Sequence, residues 1–269
     1  MAKKWRNRKT RAVSDAVPRL MTEAIDAIIL CGGAGLRLRP VTGDRPKSMA
    51  QVSGRPFLEM LLGQLRRHGF QRVILAVGYA APAIQSHFGE AFCGMNIEYS
   101  NELSPLGTGG ALRNAAPRVR SKFCLVMNGD SYTDVDLRSF LAAHCRWRAE
   151  VSIVVVPEDE RSDTGAVLLD ADGNVTQFAE KECLQLKHHL NAGIYILSRE
   201  MTYGISSRVP LSLEHELLPA WIHNGRRVKG FIHLGKCVDI GTPERYRRAQ
   251  NVLADAEVVR PTGNEEYTA

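Results

Sequence analysis

The chain has 269 residues, 44 % of them apolar and 24 % charged, with a formal net charge of +6. That is enough for one large α/β domain or at most two small ones, and too apolar for a disordered chain. No run of about 18 apolar residues occurs, so no membrane-spanning helix and no membrane partner are expected.

The charge is uneven. Lys3, Lys4, Arg6, Arg8, Lys9 and Arg11 carry six positive charges with no acid among them. No apolar stretch follows, so this is not a secretory signal. Residues 1–22 read as a flexible basic tail, residues 23–254 as a single domain, and residues 255–269 as a frayed polar tail. A nucleic-acid tether is the alternative reading of the basic tail; the rest of the chain gives no reason to expect nucleic acid. The six cysteines are scattered without a C-x-x-C pair, which argues against a zinc site or a disulfide framework. Cys31 and Cys124 lie in apolar runs and read as small buried residues in a reducing, cytoplasmic setting.

Residues 24–31 form an apolar run ending in glycines, a buried central strand feeding a phosphate-type loop. Phe57, Leu58, Leu61, Leu62 and Leu65 share one helical face, with Pro56 suited to the first turn and Gly69 to the end. A strand over 72–77, a short helix near 82–88, a strand over 96–99, a helix over 109–116 and a strand over 123–127 follow. A helix over 137–147 completes the alternation. This β-α-β-α order predicts an α/β, Rossmann-like, mostly parallel sheet with helices on both faces. Beyond residue 150 the pattern changes. Strands over 151–156, 166–169, 175–178 and 191–197, with an Asp172-Gly173 turn, predict a smaller antiparallel extension. Ser212 and Thr242 are placed as helix N-caps, the latter before Pro243 and Glu244. Short strands are expected over 229–233 and 237–240.

The segment Cys31-Gly32-Gly33-Ala34-Gly35-Leu36-Arg37-Leu38-Arg39-Pro40, closed by Pro46-Lys47, carries the most chemistry. Small residues after a strand let backbone N–H groups approach an anion. Arg37 and Lys47 add cationic contacts to phosphate. No Gly-Lys-Ser/Thr follows, so this is not a Walker A loop, and the third glycine of the dinucleotide fingerprint is absent. Asp130 ends the apolar strand in Met127-Asn128-Gly129-Asp130, where ligands bind in open α/β sheets. Asp239 lies in Val238-Asp239-Ile240-Gly241-Thr242-Pro243. Two aspartates without histidine or cysteine suit Mg²⁺ better than Zn²⁺. His188 and His189 read as loop residues, not metal ligands.

The glycine segment resembles the signature G-G-x-G-T-R-L-x-P-(x)n-P-K of the sugar nucleotidyltransferases, also called NDP-sugar pyrophosphorylases. Matching motifs run in order from about Ala24 to Ala254. Leu36 departs from the common threonine, and Ser48 from the frequent proline. The resemblance implies the nucleotide-diphospho-sugar transferase fold and a Mg²⁺-dependent enzyme. That enzyme joins a nucleoside triphosphate to a sugar 1-phosphate and releases pyrophosphate, for surface polysaccharide synthesis. It implies that Gly32, Gly33, Gly35, Glu102, Gly107 and Thr108 bind the nucleotide, and that Asp130 and Asp239 hold the metal. Arg37, Lys47 and Lys181 would act on the phosphates, and Gly165, Glu180 and Asn191 would face the sugar.

Backbone donors at the glycine-rich helix start 107–110 also suit a nucleotide. Glu102 stands where a glutamine often occurs in relatives that use thymidine or uridine nucleotides. Its carboxylate would accept from both N1–H and N2–H₂ of guanine, favouring GTP. The nearest resemblance is to bacterial guanylyltransferases acting on D-glycero-D-manno-heptose 1-phosphate. Mannose-1-phosphate guanylyltransferases and glucose-1-phosphate cytidylyl- or thymidylyltransferases are alternatives. A catalytically silent sugar-nucleotide sensor is an alternative of another class. A homo-oligomer is left open.

Overall fold

The computed structural model describes Thr22, residues 24–158, residues 165–180 and residues 188–254. The basic N-terminal stretch, Lys181, Cys183 and the C-terminal tail lie outside the described residues, as does the side chain of Glu180.

Strand β1, Asp26–Leu30, is buried on both faces. A central parallel strand covered by helices on each side needs this, which is why the run does not alternate. β2 (Arg72–Val77), β3 (Met95–Asn101) and β4 (Phe123–Asn128) join it, all parallel, in the spatial order β3-β2-β1-β4. The order reverses between β1 and β4, and the crevice beyond their C-terminal ends is where such sheets bind ligands.

Helix α1 (Phe57–Arg67) buries the five apolar residues its spacing predicted. Pro56 sits one residue earlier than expected, at the N-cap. α2 (Ala81–Phe88) and α3 (Gly107–Ala115) follow, α3 starting two residues before the predicted onset. A short strand β5 (Ser131–Thr133) and α4 (Leu137–Trp147) complete this half. Asp136 caps α4 by accepting from the N–H groups of Arg138 and Ser139. At the opposite, N-terminal edge of the sheet, Arg72 donates to Asp26 Oδ1 at 2.5 Å and pairs with Glu98 at 2.8 Å. These contacts clamp β1, β2 and β3 together.

The second half adds β6 (Val151–Pro157), β7 (Gly165–Leu169), β8 (Val175–Glu180) and β9 (His189–Ser198). β9 runs antiparallel to β4, β6 and β7, and β7–β8 is a hairpin at the predicted Asp172-Gly173 turn. β10 (Val228–Ile232) departs from the antiparallel expectation, because it pairs with β6 in parallel. Helices α5 (Arg199–Tyr203) and α6 (Leu218–His223) carry the chain across between β9 and β10. Apolar spacing encodes burial, not the direction of re-entry. Ser212 is the predicted cap, accepting from His215 N, but the turn it opens, Leu213–Leu217, is π-helical. Last come β11 (Cys237–Asp239) and α7 (Pro243–Val252), capped by Thr242. Two apolar clusters cover the two faces of the sheet, Ile29 and Met127 pointing into one and Ile28 and Val126 into the other. Cys31 and Cys124 are buried, as expected.

Candidate active site

After β1 the backbone lies close against the loop that follows β2. Cys31 N donates to Ala76 O at 2.9 Å, and Tyr79 N donates to Gly32 O at 3.0 Å. A β-carbon at Gly32 would stand 2.6 Å from Glu102 Oε1 and 3.2 Å from Gly78 N. Gly35 is left-handed at φ 59°, and a β-carbon there would meet Lys47 Cβ at 2.7 Å. Two glycines of the loop are thus demanded by the approach of Glu102 and Lys47. A β-carbon at Gly33 would meet nothing within 4 Å. Gly33 lines an open cleft, so its own neighbours do not require it to be glycine.

The two aspartates meet across a short ribbon. β5 and β11 pair antiparallel with Ser131 opposite Asp239, and Ile240 N donates to Asp130 O at 2.9 Å. Gly129 sets Asp130 beside the glycine loop: Gly129 N donates to Leu30 O at 2.9 Å, and a β-carbon would collide with that oxygen at 2.7 Å. Lys47 Nζ donates to Asp130 Oδ2 at 2.5 Å. Asp239 Oδ1 accepts from Gly241 N at 2.9 Å and Arg245 Nη1 at 3.3 Å. The β-carbon position of Gly241 is 2.9 Å from Asp239 Oδ1 and 3.7 Å from Lys47 Nζ, so Gly241 lies between Asp239 and the ammonium that pairs with Asp130. Burial pushes the Asp130 carboxyl up, but the charge and hydrogen bond of Lys47, with that of Ser131, outweigh it and hold its pKa below the ordinary value.

These groups open on a cleft of about 800 Å³. Gly32, Gly33, Gly35, Arg37, Lys47, Glu102, Gly107, Thr108 and Asp130 all line it, and Asp239 adjoins it through Gly241. The structure therefore gathers nine of the proposed positions on one wall system. Burial raises the Glu102 carboxyl above its usual pKa, although its hydrogen bond from Leu106 N opposes this. Gly165 and Asn191 are not among the lining residues. A β-carbon at Gly165 would strike the Phe178 ring at 2.7 Å, which is a packing reason for glycine there. The Asn191 amide donates to Tyr195 OH at 2.6 Å and accepts from Gly193 N at 3.0 Å.

The start of α3 differs from its expected use. The N–H groups of Gly109 and Gly110 donate to Leu211 O at 2.8 and 3.2 Å, so these helix-start donors are occupied by protein. Gly107, at φ 74°, would also collide with Leu211 if it carried a β-carbon. Sequence reasoning missed what lies behind this contact. Glu214, in the π-helical turn, accepts from Thr108 Oγ1 at 2.6 Å and from Tyr195 OH at 3.1 Å. The only signal for it in the sequence was the capping serine two residues before it.

Residues 26–256 match the family model described as nucleotidyl transferase. This chain belongs to the nucleotidyl transferase family. It is 34% identical over 229 residues to the D-glycero-alpha-D-manno-heptose 1-phosphate guanylyltransferase of Aneurinibacillus thermoaerophilus, covering 85% of this chain and 98% of that one. It is 35% identical over 243 residues to the mannose-1-phosphate guanylyltransferase of Mycobacterium tuberculosis, covering 90% of this chain but only 66% of that protein's length. The crystal structure of HddC from Yersinia pseudotuberculosis complexed with GMP-PN superposes with a TM-score of 0.74 at 32% identity, covering 85% of this chain and 99% of that one. In this nucleotidyl transferase the mostly parallel, Rossmann-like sheet order is the one the sequence resemblance implied.

Proposed function

We propose that the chain transfers a guanylyl group from GTP to D-glycero-α-D-manno-heptose 1-phosphate, giving the sugar nucleotide and pyrophosphate, as a cytoplasmic enzyme of surface polysaccharide synthesis. The observation that carries this is the convergence of Lys47 with Asp130 and Asp239 at the mouth of the glycine loop. Such transfer needs positioning and charge stabilisation rather than a covalent intermediate. Arg37 and Lys47 bind the triphosphate and the charge of the departing pyrophosphate. Lys181 neutralises the incoming sugar phosphate, while Glu180, Asn191 and Gly165 face the sugar. Glu102 accepts from the N1–H and N2–H₂ edge of guanine.

Asp130 and Asp239 supply an all-oxygen donor set beside the phosphate cleft, which fits Mg²⁺. Bound there, Mg²⁺ would supply charge neutralisation for the reacting phosphates. The assembled cations and acids argue against a silent sensor.

Mannose 1-phosphate is the second reading for the sugar, favoured by the 35% identity to the mycobacterial enzyme. A pyrophosphate-release screen of GTP, ATP, CTP, UTP and dTTP against hexose and heptose 1-phosphates separates these readings. Dominant activity with dTTP would overturn the assignment of Glu102.

A further inference from the structure

Glu214 is tied to three other elements and to the cap of its own turn. Its Oε1 accepts from Tyr195 OH of β9 at 3.1 Å and faces Asn128 Nδ2 of β4 at 3.5 Å. Its Oε2 accepts from Thr108 Oγ1 of α3 at 2.6 Å and from Ser212 Oγ at 3.4 Å. Tyr195 OH in turn accepts from Asn191. Each of these bonds runs from the neighbour to a Glu214 oxygen, so the acceptor sets how each neighbour turns.

The consequence falls on Thr108, the one of these neighbours on α3 that lines the cleft. A hydroxyl has one proton and two lone pairs. The proton of Thr108 goes to Glu214, and one lone pair takes Leu213 N at 2.8 Å. What Thr108 has left to offer is a single acceptor. Glu102, across the same cleft, is likewise an acceptor. We propose that Glu214 is a positioning residue that locks Thr108 as an acceptor, so that this wall of the cleft selects a substrate N–H or O–H group and disfavours phosphate oxygen. The proposal rests on the nucleotidyltransferase reading and refines it: Thr108 reads a donor on the base, the ribose or the sugar. A site built to pair with a donor discriminates against the analogue that lacks it.

Glu214→Gln tests this. With Asn128 Nδ2 and Tyr195 OH still turned to this side chain as donors, the glutamine oxygen faces them. Its amide N–H₂ then faces Thr108, whose proton is released and whose polarity reverses. Binding is measured for GTP, ITP and 2′-deoxy-GTP, and for a hexose 1-phosphate with its deoxy analogues. These arms tell base, ribose and sugar apart. Wild type is expected to disfavour one analogue by about tenfold or more. In Glu214→Gln, and in Thr108→Val, the preference for that parent over that analogue should collapse towards one, while the other ratios and the fold persist. Ratios unchanged in both variants, or a uniform loss on every compound, would overturn the proposal. Failure of the wider reading looks different: wild type would bind these compounds with the stated ratios but release no pyrophosphate.

Discussion

Lys47→Met removes an ammonium and keeps an unbranched stem of similar length. In the wild-type cleft that ammonium lies 2.5 Å from Asp130 Oδ2, the lysine side chain being 15% exposed and the aspartate 37%. The pair is therefore intermediate between exposed ion pairs, worth about 1 kcal/mol or less, and buried ones, whose disruption costs about 3–5 kcal/mol. We take about 2 kcal/mol. A divalent cation on Asp130 competes with this ammonium, so its removal should tighten Mn²⁺ binding roughly thirtyfold in the absence of nucleotide. The same substitution takes a cation from the phosphates, and pyrophosphate release should fall by about a hundredfold or more. Calorimetry or manganese paramagnetic resonance reads the first change, and a coupled pyrophosphate assay the second. The two changes have opposite signs. Unchanged or weaker Mn²⁺ binding in the variant would refute the reasoning that lysine and metal share Asp130.

Gly33→Ala adds a methyl group that meets no protein atom within 4 Å. Its melting temperature should stay within about 1 °C of wild type while the KM for GTP rises about tenfold; an unchanged KM would remove Gly33 from the nucleotide contact. Arg72→Met strips the countercharge from Asp26, whose side chain is 7% exposed, and should cost about 3–5 kcal/mol, or roughly 10 °C in melting temperature. A drop below about 2 °C in circular dichroism melts would contradict that. His144 is fully buried, hydrogen-bonded to Ser152 Oγ at 2.8 Å, and burial lowers its pKa from 6.5 to about 4. The unfolded chain therefore binds more protons between those values, and stability should fall as pH drops from 6.5 to about 4, by at most about 3 kcal/mol. His144→Gln should flatten denaturant-measured stability over that window; an unchanged slope would assign it to other groups.

The parallel half of the fold was legible because doubly buried strands and one-sided helices leave different apolar periods, as in Asp26–Leu30 and Phe57–Arg67. The caps at Ser212 and Thr242 were legible because local side-chain chemistry sets them. The direction of β10 was not, since it depends on where the preceding helices return the chain. In the site, the glycine loop, Lys47 and Asp130 announced themselves by spacing. Glu214 did not, because its partners Thr108, Asn128 and Tyr195 are remote in sequence and meet only in the folded chain. The glycines at 109 and 110 looked like ligand contacts, but their N–H groups bond to Leu211, a partner that no local pattern reveals.

The decisive measurement is the fate of GTP labelled at its α-phosphorus, incubated with Mg²⁺ and the heptose or mannose 1-phosphate. The label is expected to move into a sugar nucleotide as unlabelled pyrophosphate appears in equal amount, and Asp130→Asn, while still folded, to abolish most of both. Label recovered only as GTP or GDP, or full transfer by Asp130→Asn, would contradict this expectation.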